Sequence, residues 1–169
     1  MSRVLVLSLV LGAFSTIAAE NDNSRGPFRG NISQGDVTVG GSFRLDHNSR
    51  NSETSVDLGT GVGLFVVDRF AVGGIFDVSQ DADGMVALMG PQAQFHFWNV
   101  DRLSFLTFVS VAFGLTDVTV QSRTTLGLGA DYFITPAVAF GPYVSLAVID
   151  SRARNYTRSA MGANFGIYL

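Results

Sequence analysis

Eight stretches of this 169-residue chain alternate between apolar residues and small or polar ones. A period of two belongs to a β-strand with two unlike faces and to no helix. The stretches lie near 36–45, 55–66, 70–79, 86–97, 104–115, 123–133, 138–148 and 159–169. Most span about ten to twelve residues, close to the ~9–11 that a tilted strand needs to cross a bilayer. The last stretch is the plainest. Met161, Ala163, Phe165, Ile167 and Leu169 are apolar, and Ala160, Gly162, Asn164 and Gly166 stand between them. A bare apolar strand at a sheet edge invites pairing with other chains, whereas a closed barrel has no edge.

One face of each stretch is apolar: Val56, Leu58, Val62, Leu64 and Val66 in the second; Leu126, Leu128, Ala130 and Tyr132 in the sixth. The other face holds Arg44, Asp57, Asp77, Gln92, Gln94, His96 and Asp131, with Thr38, Thr125, Tyr143, Ser145, Asn164 and many glycines. Apolar-out with polar-in is the alternation of a transmembrane barrel. A soluble lipocalin-like barrel that binds an apolar ligand would turn the same faces the other way.

The connections favour the first arrangement. Those near 67–69, 98–103 and 134–137 are tight and aromatic-flanked, by Phe65 and Phe70, by Phe97, Trp98 and Phe105, and by Tyr132, Phe133 and Phe140. Those near 46–54, 80–85, 116–122 and 149–158 are polar. Aromatic residues gathered at one end form a belt at a membrane interface. Gly90-Pro91 and Gly141-Pro142 are expected to be bulges or kinks, because proline cannot donate to a ladder.

Composition narrows the function. All eleven basic residues are arginine and the net charge is −3, so no basic patch offers itself to nucleic acid. Without cysteine there is no disulfide scaffold and no thiolate metal site. Residues 1–19 read as a cleaved signal peptide: Arg3 begins it, Val4 to Phe14 form its apolar centre, and Ala18-Ala19 end it. Residues 20–35 read as a flexible polar lead-in, periplasmic in an exported barrel, and 36–169 as the barrel domain.

From about Gly35 to Leu169 the chain resembles the OmpA/OmpX-type eight-stranded outer-membrane barrels of Gram-negative bacteria. The carriers are the Val-Asp-Arg-Phe-Ala-Val-Gly-Gly turn at 67–74, the two Gly-Pro strand starts and the closing strand. Gly162, Phe165 and Ile167 resemble the C-terminal signal of such proteins, although this chain ends on Leu169 where they mostly end on Phe. The resemblance implies an all-β, eight-stranded, up-and-down transmembrane barrel in the outer membrane, a monomer. Its partners would be the bilayer, lipopolysaccharide and, through 159–169, the barrel-assembly machinery. It implies a structural or surface-interaction role, with adhesion and envelope integrity as examples.

Chemistry is sparse. Gly59-Gly61-Gly63 and Gly127-Gly129 are not followed by helical periodicity, so they form no dinucleotide loop. The inward polar set reads as a network of ion pairs and hydrogen bonds filling an eight-stranded interior, rather than a metal or catalytic cluster. Lipid-A-modifying barrels are an enzymatic precedent, and the deacylase type pairs a His with a Ser two residues on. Here His96 is followed at that spacing by Trp98, while His47 has Ser49 but sits in a polar stretch. We expect no enzyme and no cofactor, and hold the lipid-modifying enzyme and a narrow porin-like channel as alternatives. Arg50, Arg123, Arg152, Arg154 and Arg158 lie in or beside polar connections. Guanidinium forks suit phosphate, so Arg50, Arg152, Arg154 and Arg158 are candidate lipopolysaccharide contacts.

Overall fold

A computed structural model describes residues 32–48, 53–81, 84–114, 122–150 and 155–169. The alternating stretches become eight strands: β1 (Val37–Asn48), β2 (Glu53–Val67), β3 (Phe70–Asp81), β4 (Gly84–Val100), β5 (Leu103–Gly114), β6 (Ser122–Thr135), β7 (Val138–Asp150) and β8 (Asn155–Tyr168). Each pairs antiparallel with its neighbours in sequence, and β1 pairs with β8 to close the barrel. Several strands outrun their apolar segments, because a ladder bonds through the backbone and continues into polar residues. His47, read as a loop residue, therefore lies within β1.

The faces fall as the alternation requires. Leu58, Leu126, Leu128, Val144 and Phe140 are exposed on the outer wall, Leu128 at 55%. Asp57, Asp77, His96, Thr125 and Asp131 are buried inside. A soluble barrel would carry its apolar side chains inward. This one exposes them in a continuous band, as a transmembrane barrel does to lipid.

Three two-residue turns, 68–69, 101–102 and 136–137, mark one end of the barrel, the turn end. Arg69 and Asp101 adopt φ of 67° and 50° there. Each descending strand carries a register shift just before its turn: Phe65/Val67 in β2, His96/Trp98 in β4 and Phe133/Thr135 in β6. A bulge sends two consecutive side chains to one face. Strict alternation would point Trp98 inward with His96. The extra residue, Phe97, turns Trp98 outward at 58% exposure, stacked on Phe105 with ring centroids 5.3 Å apart.

The bulges expected at the two Gly-Pro pairs do not occur. Met89 faces Phe113 and Gln92 faces Ser110 in one register, and Gly129 faces Tyr143 while Tyr132 faces Phe140 in another. The ladder is interrupted between them but not shifted. Proline costs a hydrogen bond and no residue is inserted. The glycine lets the neighbouring strand press in: a Cβ on Gly90 would strike the Val111 carbonyl, and one on Gly141 the Ala130 carbonyl.

The aromatic belt is smaller than its sequence suggests. Phe70, Phe97, Trp98, Phe105, Tyr132 and Phe140 supply it, whereas Phe65 and Phe133 are buried inside. Both occupy inward positions of their strands, two residues on from Gly63 and Asp131. With Ile32, Ala71, Ala139 and Tyr168 they form an apolar cluster across the turn end. The lead-in is thus held over its last residues. Ile32 is 5% exposed, Gly35 N donates to Phe65 O at 2.8 Å, and Val37 and Leu169 exchange hydrogen bonds of 2.9 and 2.8 Å.

Candidate functional site in the barrel lumen

The lumen is layered. Toward the loop end, β1, β2, β3 and β6 supply Arg44, Asp57, Asp77 and Arg123. Arg44 Nε donates to Asp57 Oδ2 at 3.1 Å, and its Nη2 reaches the same oxygen. Arg123 crosses the barrel, with Nη1 3.3 Å from Asp57 Oδ2 and Nη2 bonded to Asp77 Oδ2. Two guanidiniums and two carboxylates leave the layer neutral, as low-dielectric burial requires. Gly59 makes it possible, since a Cβ there would collide with Asp77 Oδ1 and Ser42 Oγ. Further toward the loops, Arg158 Nη1 donates to Ser55 Oγ at 2.8 Å, and its guanidinium lies 5.5 Å from the Tyr156 ring centre.

Beneath the charged layer there is free space, lined among others by Gln92, Ser110, Thr125, Phe108 and Tyr143. Below it a hydrogen-bonded layer spans the barrel. Asp131 accepts from Asn164 Nδ2 and from the Tyr168 hydroxyl, both at 2.6 Å. On the other side His96 lies 2.6 Å from Gln94 Nε2 and 2.7 Å from Ser104 Oγ. Ser104 gives its one hydroxyl proton to Asn99 Oδ1 at 2.6 Å. Nδ1 of His96 must therefore be the donor to Ser104, and Nε2 accepts from the Gln94 amide. The apolar cluster of Phe65, Phe133, Tyr168 and Ile32 closes the end, with the Phe133 and Tyr168 rings 5.1 Å apart.

Compared with models of known protein families and with curated proteins, the sequence matches none. Solved structures do resemble it. The N-terminal β-barrel domain of Pseudomonas aeruginosa OprF matches with a TM-score of 0.56 at 17% identity, over 79% of this chain and 98% of that one. Neisserial surface protein A matches with a TM-score of 0.58 at 11% identity, over 78% and 95%. The outer membrane protein OprG of Pseudomonas aeruginosa matches with a TM-score of 0.52 at 11% identity, over 83% and 99%.

The chain has the fold of the small eight-stranded outer-membrane barrels. At such identities the likeness is one of fold, and this barrel's interior has to be read from its own residues.

The inward set divides between the two layers of this barrel. Arg44, Asp57 and Asp77 meet in the upper one. Gln94, His96 and Asp131 lie in the lower one. Gln92 lines the cavity between them. Two arginines change places. Arg123, taken for a residue beside a polar connection, is the cation that ties Asp57 to Asp77. Arg158, taken for a lipopolysaccharide contact, is 8% exposed and points into the barrel. Its stretch looked like a loop because it is polar, but β8 begins at Asn155 and alternation carries Arg158 inward with Asn164. Arg50, Arg152, Arg154 and Ser49 lie outside the described residues.

Tyr168 lies on the inward face that alternation gives it, while Ser104, Asn99 and Ile32 belong to the layers without a signal in the sequence reading. Ser104 and His96 make a Ser–His pair, but a hydrolytic triad needs a serine whose proton goes to histidine at an accessible surface. Here serine gives its proton to asparagine and both residues are enclosed. Among the described residues no group of three His, Cys, Asp or Glu is arranged to hold a metal ion.

Proposed function

We propose that this is an exported outer-membrane protein whose barrel is a closed anchor, with a structural or surface-interaction role carried by its outer wall and polar loops. The supporting observation is the double closure of the lumen. The ion-paired layer of Arg44, Asp57, Asp77 and Arg123 blocks one half, and the Phe65–Phe133–Tyr168–Ile32 cluster blocks the other. An eight-stranded interior is only wide enough for side chains to fill. The burial of Ser104 with His96 argues against a lipid-modifying enzyme, since neither reaches the lipid-facing wall.

In planar bilayers the purified protein should show no large, steady conductance, and lipid A should be unchanged by its deletion or overexpression. A steady channel would overturn the closed anchor. A new acylation state in lipid A mass spectra would restore the enzyme.

The proposed ligand of the loops is lipopolysaccharide, through guanidinium–phosphate contacts of Arg50, Arg152 and Arg154. Replacing all three with alanine should weaken binding of purified lipopolysaccharide about tenfold, while replacing the enclosed Arg158 alone should leave it unchanged. Equal binding by the triple variant and the parent would remove these residues from the reading.

A further inference from the structure

We infer that residues 32–36 act as a cork: a strap that folds under the turn end, seals the lumen there and opens as a unit without unravelling the barrel. This rests on the reading of the lumen as closed, and goes further by naming what closes it.

The strap has one apolar tooth. Ile32 is buried against Phe65, Ala71, Phe133, Ala139 and Tyr168, residues drawn from β2, β3, β6, β7 and β8. Ile32 thus joins a cluster whose other members come from strands around much of the circumference. The strap also has polar attachments, and Asp36 at its end is itself buried. Gln34 N donates to Asp68 Oδ1 in the first turn at 2.9 Å. Gly35 N donates to Phe65 O at 2.8 Å, and Phe65 N donates back to Asp36 O at 2.8 Å. Ser33 N donates to Asp36 Oδ2 at 2.9 Å, which bends the strap back on itself. Gly35 has φ of 93°, a conformation that glycine alone adopts without strain, and it sits where the strap turns into β1.

The strands do not depend on these bonds. β1 pairs with β2 from Val37 and with β8 from Thr38, so both ladders begin where the strap ends. A short terminal segment that lies outside both ladders and has one apolar side chain in the cluster is less stable locally than a closed ladder. The strap therefore opens first. When it does, Ala139, Phe65 and, behind them, the layer of His96 and Asp131 meet water.

The chain has no cysteine, so a single reporter thiol can test this. Ala139→Cys places the thiol under Ile32, at a position with no exposed surface. With the protein refolded in lipid vesicles, a small charged thiol reagent should label this reporter slowly. Adding Ile32→Asp puts a carboxyl in the apolar socket and should raise the labelling rate about tenfold or more, while heat-modifiable migration stays that of a folded barrel. Ile32→Val should label like the reporter alone. Should Ile32→Asp fail to fold, Asp68→Ala carries the test, because it removes the strap's outer anchor and no lumen residue; its labelling should rise severalfold. Unchanged labelling in a folded Ile32→Asp or Asp68→Ala barrel overturns the cork. Fast labelling of the reporter alone also overturns it. A steady conductance would overturn the closed anchor and the cork together, whereas unchanged labelling in a barrel without conductance overturns the cork alone.

Discussion

Arg123→Ala should destabilise the barrel by about 3–5 kcal/mol, the largest effect expected of any single substitution in the lumen. Arg123 pairs with Asp77 and shares Asp57 Oδ2 with Arg44. Removing it takes from Asp77 its guanidinium and from Asp57 one of the two that reach Oδ2. The loss is greater than the worth of the pair, because an uncompensated buried charge bears its full desolvation cost. Urea titration in lipid vesicles should show a lower midpoint with an unchanged slope. A second substitution tests the cause. Adding Asp77→Leu to an Arg123→Met background should recover much of the loss, since the remaining Arg44–Asp57 pair is neutral. Additive losses would show that packing rather than charge balance holds the layer, and a cost for Arg123→Ala below about 1 kcal/mol would show that water solvates the carboxylates.

The second large effect separates the two faces. Leu128→Arg places a cation near the middle of β6 on the lipid-facing wall and should cost about 2–4 kcal/mol. Gln92→Arg places the same charge beside the cavity that Asp77 also lines, where there is both volume and a carboxylate to receive it. Folding yield in vesicles should fall sharply for the first and little for the second. The opposite order would mean that the wall at Leu128 does not face lipid. Similar yields would mean that neither environment discriminates against charge.

Most of the barrel was legible because period two repeats the same decision at every residue. The inward assignments of Arg44, Asp57, Asp77, Gln94, His96 and Asp131 needed nothing more. The same rule, which places Tyr168 after Gly166, finds Arg123 when carried two residues before Thr125. It would also have taken Phe65 and Phe133 out of the belt. These were misjudged because each sits next to a turn or a polar stretch, where composition pulled against alternation.

Trp98 is a different case. Its outward aim comes from the extra residue in β4, and a bulge depends on which neighbour a residue pairs with, which the order of residues along one strand does not reveal. The two prolines misled for a related reason: a missing N–H predicts a lost bond but not whether the register slips. Ile32 gave no signal at all. It precedes the first alternating segment, and the rest of its cluster comes from five strands.

The seam between β1 and β8 has a topological consequence. It joins Thr38 to Tyr168 and His47 to Ser159 with the same antiparallel geometry as every hairpin, and Val37 and Leu169 bond directly at its end. In the finished ring no strand is therefore first or last. Assembly sees it otherwise: six ladders join strands that precede β8, while the two that flank it, β7–β8 and β1–β8, must wait for that strand. The same cylinder re-threaded to begin at 101–102, with Leu169 tethered to Ile32, would keep all eight ladders and alter only the order of their formation. It would also hold the strap at both ends, turning a hinged stopper into a stitched one.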